Sequence, residues 1–92
     1  MLGFFVAKLK AGQTKSVRTS KVDGRVLEEE WFLNGKRHRD QAPARWTRDA
    51  RTDVITREYY YTRGRLHREH EPALIHRDYR SGNPTKMGPQ KY

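Results

Sequence analysis

The sequence predicts a mainly β fold, an antiparallel meander built from hairpins, on three observations. A stretch from Glu29 to Asp49 is written again, without a gap, from Glu58 to Asp78. Two dipeptides that favour tight hairpin turns, Asp23-Gly24 and Asn34-Gly35, stand between extended-looking segments. Those segments are rich in β-branched and aromatic residues, which suit a pleated, half-buried surface. The two copies share Gly35 with Gly64, His38-Arg39 with His67-Arg68, Pro43-Ala44 with Pro72-Ala73, and Arg48-Asp49 with Arg77-Asp78. Such self-similarity sets the architecture before any single residue does.

Taken in order, Leu2 to Lys10 reads as a first strand, and Ala11-Gly12-Gln13 turns the chain into a second over Thr14 to Val22. Asp23-Gly24 accepts the positive φ of a type I′ turn. A third strand over Arg25 to Leu33 ends at Asn34-Gly35. A fourth starts near Arg37, and Pro43, which cannot donate to a ladder, requires an edge or a bulge there. Pairing is expected to resume over Ala44 to Arg48 and, in the second copy, over Ala73 to Arg77. A loop at Asp49 to Asp53 leads to a strand over Val54 to Thr62, with Tyr60 on the face opposite Tyr59 and Tyr61. Arg63-Gly64 replaces Asn34-Gly35 as the next turn. A helix over Asp23 to Phe32 would suit Glu28-Glu29-Glu30, but the matching Thr52 to Tyr61 is β-branched and aromatic, and only a strand suits both. One domain is expected over residues 1–80. Residues 81–92, with Gly, Pro and Asn at short intervals, read as a flexible tail.

Ninety-two residues support one core, and an apolar fraction of 34% with a mean hydropathy of −1.13 implies a thin one, or stability drawn from a partner. The net charge of +9 favours polyanions. Thirteen of the twenty basic residues are Arg, whose planar fork suits phosphate and base edges. Without cysteine there is no disulfide frame or thiolate metal site, which suits a reducing compartment. Met1 to Ala7 is apolar, but Lys8 ends the run and no basic segment precedes it, which argues against a signal peptide.

Two basic clusters flank the turns: Lys36, Arg37 and Arg39 after the first, Arg63, Arg65 and Arg68 after the second. If the copies superpose, the clusters merge into one nucleic-acid-binding patch. Trp31 and Tyr60 beside them offer rings on which bases could stack at about 1–3 kcal/mol each. For both rings a place in the core is the preferred expectation, ahead of base stacking. His67, His70 and His76, with Glu69 and Glu71, are candidate metal ligands by type, but His67 and His70 point to opposite faces of a strand, so no metal is expected. His38 and His67 are expected to hydrogen-bond within their own units. No nucleophile elbow or phosphate loop is present, and the chain reads as a binder with no cofactor, not an enzyme.

The repeat resembles a short module of bacteriophage and giant-virus proteins, Glu-Trp-x-x-Asn-Gly-x-x-His-Arg-x-x-x-Pro-Ala. Glu30-Trp31, Asn34-Gly35, His38-Arg39 and Pro43-Ala44 match it. The second copy has Tyr60 for Trp and Arg63 for Asn, and the Gly usual before Pro-Ala is replaced by Ala42 and Glu71. That resemblance covers residues 29–78 and implies a viral origin without a single activity. In length, basic character, lack of cysteine and degenerate repeat, the whole chain resembles the small type I-F anti-CRISPR proteins of bacteriophages. This implies an inhibitor in the cytoplasm of the infected host that binds the RNA-guided surveillance complex, guide RNA and protein subunits together, and keeps target DNA from pairing. An inhibitor of such a complex can imitate DNA by being acidic. A chain at +9 is instead expected to seek the anion held there, the guide RNA. A general nucleic-acid-binding phage protein, or a structural module that adds its edge strand to a partner, are the alternative expectations.

Overall fold

The computed structural model describes residues 11–88, so the strand expected over Leu2 to Lys10 lies outside the described residues, as do residues 89–92. Nine strands and no helix are found in the described part: β1 (Gln13–Thr19), β2 (Val26–Leu33), β3 (Lys36–Arg37), β4 (Arg45–Arg48), β5 (Ile55–Tyr59), β6 (Tyr61–Thr62), β7 (Arg65–Leu66), β8 (Leu74–Arg77) and β9 (Pro84–Gly88). The main sheet runs β1-β2-β4-β5-β8-β9, with β3 also paired to β2, and β6 and β7 form a separate two-stranded ribbon. Every pairing is antiparallel. The fold is mainly β, a meander of hairpins.

Backbone pairing recurs at a 29-residue interval. Trp31 N–H donates to the Ala44 carbonyl and Tyr60 N–H to that of Ala73; His38 N–H donates to Trp31 and His67 N–H to Tyr60. Bulges fall at Thr19, Arg48 and Arg77, opposite Val26, Ile55 and Pro84. The same spacing extends to three loops: Ser20, Asp49 and Asp78 close theirs by the same pair of backbone bonds.

Several elements differ from the sequence expectation. The turn at Asp23-Gly24 is not a two-residue hairpin turn. It is a wider loop closed by Ser20 with Arg25, and only Gly24 takes a positive φ. The strand expected over Val54 to Thr62 breaks at Tyr60, whose N–H leaves β5's partner geometry for Ala73. The expected tail contains β9, with Ile75 opposite Met87 and Leu74 opposite Gly88. Its entry loop is set by Asp78, which accepts from the N–H groups of Arg80 and Ser81, and by Gly82 at φ 78°. Asp49 does the same for Arg51 and Thr52 one interval earlier. Local geometry thus overrides the poor strand propensity of Pro84 and Gly88, and Pro84 lies at a sheet edge where its missing N–H costs little.

The described sheet measures 45 × 38 × 15 Å, a single layer. Its buried apolar residues are Leu27, Ala44, Ala73 and Ile75. Ala44 and Ala73 are at 0% and 1% exposure, which explains the Pro-Ala element: only a small side chain fits where the carbonyl must reach Trp31 or Tyr60. The register lines up one residue per strand across each face. One face carries Val17, Glu29, Trp46, Glu58, Ile75 and Met87 in a row; the other carries Arg18, Glu28, Thr47, Arg57, His76 and Lys86.

Candidate nucleic-acid interface

The two basic clusters meet where the turns adjoin. Asn34 and Gly35 take φ of 50° and 80°, and Arg63 and Gly64 take 49° and 83°, the left-handed pair that a type I′ turn requires. The second turn lies against β3: Gly64 N–H donates to the Arg37 carbonyl at 2.8 Å, and Arg39 N–H to that of Tyr61 at 3.3 Å. His38 completes the junction. Its Nδ1 accepts from Arg63 N–H at 3.0 Å, which leaves Nε2 to donate to Asp40 at 3.1 Å. The His38 ring therefore makes the expected bond within its own unit, to Asp40, and adds one that ties the unit to the neighbouring turn.

The six cations then divide. Arg39 lies over the Trp31 ring, 4.3 Å from its centroid, and hydrogen-bonds Glu29 and the Pro43 carbonyl. Arg68 repeats this over Tyr60 at 3.8 Å, with Glu71 and the Pro72 carbonyl. Arg37 pairs with Glu30 at 2.9 Å and stands over Tyr61. Lys36, Arg63 and Arg65 are exposed, and none of the ion pairs among the described residues involves them. Three of the six are thus held by the protein's own rings and carboxylates, and three are open to an anion.

Trp31 and Tyr60 are half-buried and already carry a guanidinium on one face; Trp31 also has the Lys15 ammonium 5.1 Å from its centroid. Their polar atoms point to carboxylates one interval apart. Trp31 Nε1 donates to Glu29 and the Tyr60 hydroxyl to Glu58, both on the apolar face. Burial raises the Glu29 pKa, but the Trp31 and Trp46 indoles and the charges of Lys15 and Arg39 outweigh it, and the group ends below its ordinary value of 4.5. Burial and the bond to Glu58 push the Tyr60 hydroxyl up to about 12. A base stacking on the face that Arg39 or Arg68 covers must displace that arginine first.

Sequence reasoning did not single out Arg57 and Lys86, and weighed His76 only as a metal ligand; the register places the three in line on the opposite face. The signal for them was the alternation of side chains combined with the 29-residue interval. Among the described residues, no group of three His, Cys, Asp or Glu side chains is arranged to hold a metal ion, and no helix is long and apolar enough to cross a membrane. No protein-family model, curated protein or solved structure matches this chain.

Proposed function

We propose that this chain is a bacteriophage inhibitor of the type I-F RNA-guided surveillance complex, which docks on exposed guide RNA and its protein subunits and blocks hybridisation of target DNA. The observation that supports the reading is the junction of the two turns, where Lys36, Arg63 and Arg65 stand open beside each other. Their charge is not cancelled locally. All the acidic side chains except Glu69 accept hydrogen bonds from the protein's own groups, and Glu69 stands 3.8 Å from His70. A cationic tip on a flat sheet suits a strand of phosphates held in a groove between protein subunits. The thin core fits a protein that gains stability from a large partner.

The test is the salt dependence of binding to the purified complex. A triple variant, Lys36→Glu, Arg63→Asn and Arg65→Glu, removes the open cations. Asn at position 63 keeps the positive φ that Asn34 adopts in the other turn. The variant is expected to bind more weakly, and the slope of log affinity against log salt is expected to flatten by about 2, at roughly 0.7 per single-strand phosphate contact. An unchanged slope rejects the RNA contact. Equal affinity of the parent for free duplex DNA and for the complex favours a general nucleic-acid-binding protein instead.

A further inference from the structure

The face of the sheet away from Glu29 and Trp46 holds a second cationic feature, independent of the turns. Arg57 on β5, His76 on β8 and Lys86 on β9 are direct cross-strand neighbours. Adjacent strands lie about 4.8 Å apart, so side chains in line are within mutual reach. Arg57 and Lys86 each stand opposite His76, one on either side, so positive charge gathers about the imidazole, which is unfavourable unless something negative sits among them. Among the described residues nothing does: no ion pair involves Arg57 or Lys86.

The nearby carboxylates are committed elsewhere. Asp49 and Asp78, which border the shallow groove beside this row, accept backbone N–H groups of Arg51 and Thr52 and of Arg80 and Ser81. Glu28, beyond Thr47 in the same row, is taken by Arg18 and Arg45. Thr47, Thr56 and Thr85 add hydroxyl groups to the groove. His76 Nε2 lies 3.0 Å from the Tyr59 hydroxyl, and the Tyr59 ring meets the imidazole edge-on. Burial, and then the charges of Arg57 and Lys86, hold the His76 pKa below its ordinary value of 6.5.

We propose that Arg57, His76 and Lys86 form a phosphate-binding site, occupied by a phosphodiester of a single RNA strand laid across β5, β8 and β9. The phosphate oxygens neutralise the two flanking cations and accept a hydrogen bond from the imidazolium between them. Charge complementarity carries the assignment: two long, exposed cations with no ion-pair partner among the described residues flank a half-buried histidine on adjacent strands. The site stands whether or not the surveillance complex is the partner, because it is read on the free chain.

The experiment follows the His76 ring by nuclear magnetic resonance through a pH titration of the full chain. It is run in chloride, in inorganic phosphate at equal ionic strength, and with a short single-stranded RNA. An anion at ion-pair distance is expected to raise the His76 midpoint by roughly one unit. The double variant Arg57→Ala, Lys86→Ala removes two exposed side chains. It is expected to keep the amide spectrum of the folded sheet and to lose the phosphate-induced rise. A rise with both ligands supports the site and its strand. A rise with inorganic phosphate alone overturns the strand as occupant, and no rise with either overturns the site. A rise of equal size in the double variant overturns it too.

Discussion

At the scale of single residues, Glu29 is the point through which the apolar face is connected. Its carboxylate accepts from the Trp31 indole at 2.7 Å, the Trp46 indole at 3.2 Å and Arg39 at 3.3 Å, with Lys15 at 3.6 Å, and its side chain is 13% exposed. Glu29→Ala strands two indole N–H groups and is expected to cost about 1–3 kcal/mol in denaturant unfolding. The linkage has a definite sign. A carboxyl whose folded pKa is depressed contributes stability that is present above its unfolded value of 4.5 and is lost as pH falls through the lower folded value. Thermal unfolding followed below pH 4.5 is therefore expected to show a steeper loss of stability in the parent than in Glu29→Gln. The turn glycines give a second prediction at this scale. Gly35 and Gly64 sit at φ of 80° and 83°, so Gly→Val at either is expected to destabilise by more than about 1 kcal/mol. An added Cβ at Gly35 meets open space and at Gly64 meets Lys36 at an ordinary 3.5 Å, so the cost is backbone strain, and variants that melt like the parent would refute it.

At the scale of elements, β9 shields the last stretch of core. Ile75 is buried opposite Met87, and Leu74 pairs with Gly88. A chain ending at Ser81 is expected to uncover Ile75 and lower the melting temperature, by roughly 4–8 °C for each kcal/mol lost. A truncated chain with the parent's melting temperature would show that β9 adds nothing to the fold. This strand was hidden in the sequence because Pro84 and Gly88 are poor strand formers, and only its position 29 residues after Ile55 to Tyr59 marks it. The turns at Asn34-Gly35 and Arg63-Gly64, the breaks at Pro43 and Pro72 and the strands resuming after them were legible, because turn dipeptides and proline act through local backbone geometry, although Asp23-Gly24 shows that such a pair can also sit in a wider loop. The patch was legible in part. The clusters and their meeting point followed from the repeated motif. The withdrawal of Arg39 and Arg68 onto Trp31 and Tyr60 did not, since a side chain's choice between a ring of its own unit and solvent depends on cross-strand distances that spacing does not supply.

At the scale of the molecule, a single-layer sheet with four buried apolar residues among the described ones divides its work between two faces. One face holds glutamates, aromatics and folded-back arginines that keep the layer together, and the other presents the row from Arg18 to Lys86. Far-ultraviolet circular dichroism is expected to be strand-dominated, and a helix-dominated spectrum would overturn the architecture. The proposed inhibition is tested most directly by target-DNA binding to the purified type I-F surveillance complex, measured with increasing amounts of this chain. The account predicts that the parent abolishes hybridisation and that the Lys36→Glu, Arg63→Asn, Arg65→Glu variant, folded by circular dichroism, blocks it far less. Undiminished target binding in the presence of excess parent, or a variant that blocks as well as the parent, would contradict it.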